Sequence, residues 1–130
     1  MLVIDASAAV YAATSERGFG FLTPFEPVAP PLMWTEAASV LHEGAWRGVV
    51  SDELTIAARD RLFDAPVARR EPRQLLAEAW RIADELGWAK IYDAEYVALA
   101  RLLSCRLFTV DERLQRGAGR LVEIAGPREL

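Results

Sequence analysis

The chain has 130 residues, 52% of them hydrophobic and 26% charged, with a formal net charge of −4. That is length enough for one domain with a real core, and the composition is of the ordinary soluble globular kind. No apolar run approaches the ~20 residues that span a bilayer, the opening Met-Leu-Val-Ile-Asp has neither a basic region nor a cleavage site, and the lone Cys105 excludes an internal disulfide. A single domain over residues 1–130 in a reducing cytoplasm is the expectation.

Residues 2–5 read as a short buried strand, and Ser7 to Ala13 as an Ala-rich helix. Residues 14–31, broken by Gly18, Gly20 and four prolines, read as loop with a brief strand at Val28-Ala29. The spacing of Ala37, Val40, Leu41 and Ala45 predicts a helix over 33–47, stopped by Gly48. Ser51 caps a further helix, with Asp52 and Glu53 at the positive end of its dipole and Leu54, Ala57, Ala58 and Leu62 as its apolar stripe. Pro66 to Ala68 is a candidate strand. Residues 73–86 form a helix with Leu75, Leu76, Ala79, Ile82, Ala83 and Leu86 inward, ended by Gly87. Asp93 caps the next helix, 106–110 is a strand, Asp111 to Arg116 a short helix, and Leu121 to Ile124 the last strand. Short buried strands alternating with longer amphipathic helices predict an α/β fold with a mainly parallel sheet.

Four carboxylates sit where these elements meet. Asp5 closes the first strand, Asp111 follows the strand over 106–110, Glu36 lies in the first turn of one helix and Asp93 at the start of another. In parallel α/β folds the site lies beyond the carboxyl ends of the strands, and both Asp5 and Asp111 fall on that rim. Each has a plain structural reading beside the functional one. Asp5, Asp93 and Asp111 make good helix caps, and Glu36 suits a helix N-terminus. Taken together they describe an acidic pocket in which like charges repel and a divalent cation relieves the repulsion. Hard oxygen donors favour Mg²⁺ or Mn²⁺. With His42 the only histidine and Cys105 the only thiol, a zinc hydrolase and a Ser-His-Asp or Cys-His enzyme are poorly supported. Ser7 and Thr109 are hydroxyls able to touch a metal-bound water or a phosphate. Glu43 and Glu95 are further acids whose part in the site stays open. Fourteen of the fifteen basic residues are arginine and one is Lys90; arginine suits bidentate phosphate contacts.

The blocks Val3-Ile4-Asp5-Ala6-Ser7, Trp34-Thr35-Glu36-Ala37-Ala38, Tyr92-Asp93-Ala94-Glu95-Tyr96 and Phe108-Thr109-Val110-Asp111-Glu112-Arg113 resemble, in order, the four signature blocks of the PIN-domain ribonucleases. The small size resembles that of the VapC toxins of toxin–antitoxin pairs. The resemblance implies a three-layer α/β/α fold with a short parallel sheet of about five strands, and Mg²⁺- or Mn²⁺-dependent hydrolysis of RNA. It also implies a homodimer and a tightly bound VapB-type antitoxin. It places the family's acids on Asp5, Glu36, Asp93 and Asp111, with Ser7 and Thr109 supporting. Asp5 and Asp111 would be the principal ligands, Asp93 would bind directly or through water, and Glu36 would orient a metal-bound water. The expected products carry a 5′-phosphate and a 3′-hydroxyl. The alternative is a non-catalytic PIN-like module that binds RNA or a protein. A haloacid-dehalogenase-type phosphatase wants a second aspartate where Ser7 stands, and a response-regulator receiver wants a late lysine that the chain lacks.

Overall fold

The computed structural model describes residues 1–130. Its centre is a five-stranded, wholly parallel sheet made of β1 (Leu2–Ile4), β2 (Pro27–Ala29), β3 (Ala68–Arg69), β4 (Arg106–Phe108) and β5 (Ile124–Ala125), in the order β3-β2-β1-β4-β5. The helices are α1 (Ala6–Thr14), α2 (Leu32–Trp46), α3 (Asp52–Phe63), α4 (Leu75–Leu86), α5 (Tyr92–Leu103) and α6 (Glu112–Ala118). α1, α2 and α3 pack on one another, while α4 packs on α5, which covers β1 and β4. This is the expected α/β/α sandwich.

The strands are short; those at the centre of the sheet are dry, and β3 at the edge is exposed. Leu2, Val3, Ile4, Leu107 and Phe108 are all buried, as parallel strands covered on both faces must be. Alanines at 8, 9, 12 and 13 let α1 lie close against the core, and α5 buries an unbroken run from Tyr96 to Ala100. From β1 the chain steps outward to β2 and β3, and later returns on the other side of β1 through β4 and β5. The switch point where the order diverges therefore falls between β1 and β4, and there a parallel sheet opens a crevice. In register Leu2 faces Arg106 and Ile4 faces Phe108, so Asp5 and Thr109 leave the sheet side by side.

Several expectations shift. Val40, Leu54 and Leu76 point outward, and the fully buried residues of α2 are Met33 and Ala37 alone, its later turns reaching the core only through the part-buried Leu41. β3 begins at Ala68 rather than at Pro66, which has no N–H to give a ladder. Leu121 and Val122 are not strand: both amides donate back to the carbonyl of Ala118, and pairing with β4 starts only at Ile124. Asp93 is not a cap. Ile91 stands at the N-cap with no side-chain bond, so the helix starts two residues early and the Asp93 carboxylate is left free.

Candidate active site

Asp5 is an N-cap and more. Its Oδ1 accepts the Ala8 amide at 2.8 Å and the Ser7 hydroxyl at 2.7 Å, and its Oδ2 accepts the Thr109 hydroxyl at 2.5 Å. Each hydroxyl is in turn fed by a backbone amide: Val110 N–H donates to Ser7 Oγ at 3.1 Å, and Asp111 N–H to Thr109 Oγ1 at 3.0 Å. With Asp5 ionised, both hydroxyl protons point to it, which fixes the direction of the whole chain of bonds. Three donors engage a carboxylate that is nearly wholly buried. Even so, burial dominates and raises its pKa to about 6. The hydrogen bonds from Thr109, Ala8 and Ser7 pull against that rise, and the charge of Asp93 adds to it.

Asp111 caps α6 through Oδ1, which accepts the amides of Arg113 at 2.9 Å and Leu114 at 3.4 Å. Its Oδ2 lies 3.6 Å from the Arg113 guanidinium. The carbonyl of Thr109 accepts the Gln115 amide at 3.1 Å, tying α6 back to the end of β4. Asp93 stands at the cavity mouth with its tip exposed, yet partial desolvation is the first cause of its raised pKa. Asp111 adds to the rise and Arg113 opposes it. Glu36 accepts the phenol of Tyr96 at 2.6 Å. That phenol is pushed far up by burial, by its bond to Glu36 and by the charges of Glu36, Asp5 and Asp93. Tyr96 thus lies at the junction of three of the four acids. The sequence carried a signal for it, one helical turn after Asp93 on the buried face of α5.

Glu36, Asp93 and Asp111 line a single cavity of about 440 Å³, and Asp5 lies behind its wall. Of the further acids, Glu95 feels Glu36 and Glu71, which add to a rise begun by burial, but it does not line the cavity. Glu43 pairs with Arg47 at 2.6 Å on an exposed face, away from the site. Ser7 and Thr109 act on Asp5 through the hydroxyl bonds that hold its carboxylate. All the candidate donors are hard carboxylate oxygens, the kind that suits Mg²⁺ or Mn²⁺. In their present rotamers no three of them converge on one point. Asp5 Oδ2 still has an unused lone pair, and the Asp93 carboxylate makes no hydrogen bond to the protein. The donor set therefore fits a divalent ion in kind, with side-chain adjustment needed to close on it.

The model of the PIN domain matches residues 2–120, and the chain belongs to that family. It is 36% identical over 120 residues to Ribonuclease VapC3 of Mycobacterium tuberculosis, covering 88% of this chain and 85% of that one. To Ribonuclease VapC9 of the same organism it is 36% identical over 118 residues, covering 88% of each. Among solved structures it is similar to PAE2754 from Pyrobaculum aerophilum, with a TM-score of 0.73 at 24% identity over 98% of this chain and 90% of that one. It is also similar to VapBC2 from Rickettsia felis, solved bound to a DNA fragment from its promoter, with a TM-score of 0.66 at 10% identity over 97% and 98%. At those identities the two structures speak for the fold.

Proposed function

We propose that this protein is a metal-dependent endoribonuclease, the toxin of a VapBC-type toxin–antitoxin pair. The observation that carries the reading is the identity with proteins named VapC ribonucleases along 88% of the chain. The acidic cavity at the switch point of the sheet supplies the chemistry. Asp5, Asp93 and Asp111, with Glu36 directly or through water, would hold Mg²⁺ or Mn²⁺. A bound divalent ion offsets charge on the phosphoryl oxygens and lowers the pKa of an attacking water.

The protein's own residues set the stage for that. Ser7 and Thr109 hold Asp5 in one rotamer. Tyr96 holds the part-buried Glu36 in the same way, and acids oriented before the substrate arrives lower the cost of reorganisation in the transition state. Water attacks the phosphodiester in line, leaving a 5′-phosphate and a 3′-hydroxyl. The partner is a small VapB-type antitoxin whose C-terminal segment sets an Arg or Lys against the carboxylates. A homodimer would cover exposed apolar surface such as Trp80, which is 64% exposed on α4.

The test is direct. Protein stripped with EDTA is incubated with end-labelled RNA, with and without Mg²⁺ or Mn²⁺ and with a coexpressed antitoxin. Cleavage that requires the ion and is blocked by the antitoxin is the expected result. RNA left intact under every condition breaks the reading and leaves a binding module.

A further inference from the structure

Three acids line the cavity, and residues of a different chemistry line it beside them. Gly87 adopts φ +72°, a left-handed turn that releases the chain from α4 into the segment leading to α5. Trp88 then anchors that segment. Its amide donates to the carbonyl of Ala83 at 2.8 Å. Its ring lies on Gly117 of α6 so closely that a methyl group there would sit 2.9 Å from ring carbon Cζ2. What the anchored segment presents to the cavity is Lys90 and Tyr92, and α6 adds Arg113.

None of these three is used up by the fold. Lys90, the chain's only lysine, is exposed and has no carboxylate within ion-pair distance. Tyr92 is 51% exposed and has no hydrogen-bond partner within the protein. Arg113 is 85% exposed and meets Asp111 only at 3.6 Å, too long for a hydrogen bond. A phosphodiester approaching three carboxylates is repelled unless cations meet it, and these two face the same space. A volume of about 440 Å³ suits a nucleotide-sized ligand and not a base-paired stack.

We propose that these three residues bind one unstacked nucleotide of the RNA substrate, Lys90 and Arg113 taking its phosphates and the Tyr92 ring stacking on its base. The proposal rests on the ribonuclease reading and names the substrate contacts of the same cavity.

The experiment is fluorescence anisotropy in EDTA, where no cleavage occurs. A 5′-fluorescein-labelled, mixed-sequence, single-stranded RNA 12-mer is titrated with the protein over a salt series. Each phosphate contact on a single strand contributes ~0.7 to the slope of log affinity against log salt. The Lys90→Ala/Arg113→Ala double variant is expected to weaken binding at low salt about tenfold or more and to lose ~1.4 of that slope. Tyr92→Ala is expected to weaken binding by roughly five- to a hundredfold with the slope unchanged, and Tyr92→Phe to bind as the wild type does. The fully paired duplex is expected to bind more weakly than the single strand. A double variant with the wild-type slope overturns the proposal, and so does Tyr92→Ala with wild-type affinity. Failure of the ribonuclease reading looks different: the wild type and variants then bind as expected, while added Mg²⁺ or Mn²⁺ gives no cleavage.

Discussion

The two ends of the sheet carry cavities of similar size and opposite character. Beyond the carboxyl ends of β1 and β4 the cavity of about 440 Å³ gathers Glu36, Asp93 and Asp111. Near the start of β4 a second, of about 380 Å³, gathers Arg101, Arg106, Ser104, Cys105 and Glu123. The sheet's direction explains the difference. In a parallel α/β fold each strand runs into a helix N-terminus, where backbone N–H groups and the dipole favour negative charge. Asp5 and Asp111 occupy such positions and accept amides from α1 and α6. The opposite end collects helix C-termini such as that of α5, where Arg101 falls in the last turn. The fold thus tolerates carboxylates at one end and cations at the other. Only at the acidic end has a charge been taken inside.

That internal charge gives the largest expected effect. Asp5→Asn should lower RNA cleavage by about a hundredfold or more while leaving the fold intact. It should also change how stability depends on pH in metal-free protein. The folded-state pKa of Asp5, about 6, lies above the ordinary value of 3.8. Below both values Asp5 is protonated whether folded or not and costs nothing. Above both it is ionised in either state, and the penalty of burying the charge, about 3 kcal/mol, is fully in force. The wild type should therefore lose stability relative to Asp5→Asn as pH rises from about 4 through about 6. Urea unfolding of both proteins in EDTA across that range measures it, and a constant difference between the two would show that Asp5 is not held uncharged by burial.

Thr109→Val tests the bonds that make the charge tolerable. The shape is kept, but Asp5 Oδ2 loses its donor and the Asp111 amide its acceptor. A loss of about 2 kcal/mol is expected, larger at pH 7.5 than at pH 4, since it is the ionised carboxylate that needs the proton. A loss independent of pH would make Thr109 a packing residue only.

Tyr96→Phe is milder. It removes one hydrogen bond to a carboxylate, worth about 1.5 kcal/mol in unfolding experiments. With Glu36 no longer held, kcat is expected to fall several-fold, and a cleavage assay at saturating RNA would show it. Unchanged turnover would detach Glu36 from the reaction.

The smallest effects belong to the opposite end. Cys105 is half-buried, and burial raises its thiol pKa, so it is not a ready thiolate. Cys105→Ser and Arg106→Ala should each leave cleavage within about twofold and stability within ~0.5 kcal/mol. A large loss of activity in either would mean that the two ends are coupled.

The sequence by itself determined the parallel α/β architecture and the four acids of the rim. Those are written in local patterns: short apolar strands of two or three residues, amphipathic helices, and acids at the junctions between them. Ser51, Gly87 and Asp111 punctuate their helices as read, because capping is satisfied within four residues. What the tertiary structure decided depends on distant residues. Val40, Leu54 and Leu76 share the helical period of buried neighbours, but only the position of the sheet decides which turns it covers. Leu121 and Val122 read as strand until the carbonyl of Ala118 takes their amides. Asp93 reads as a cap, and the helix starting at Tyr92 frees it for the cavity. The hydroxyl cage around Asp5 joins residues more than a hundred positions apart, and only the register of β1 against β4 brings them together. Local chemistry sets what each segment can become. Which side chains share a wall, a charge or a proton is settled by packing, because burial and the field of neighbouring charges arise only once the chain has closed on itself.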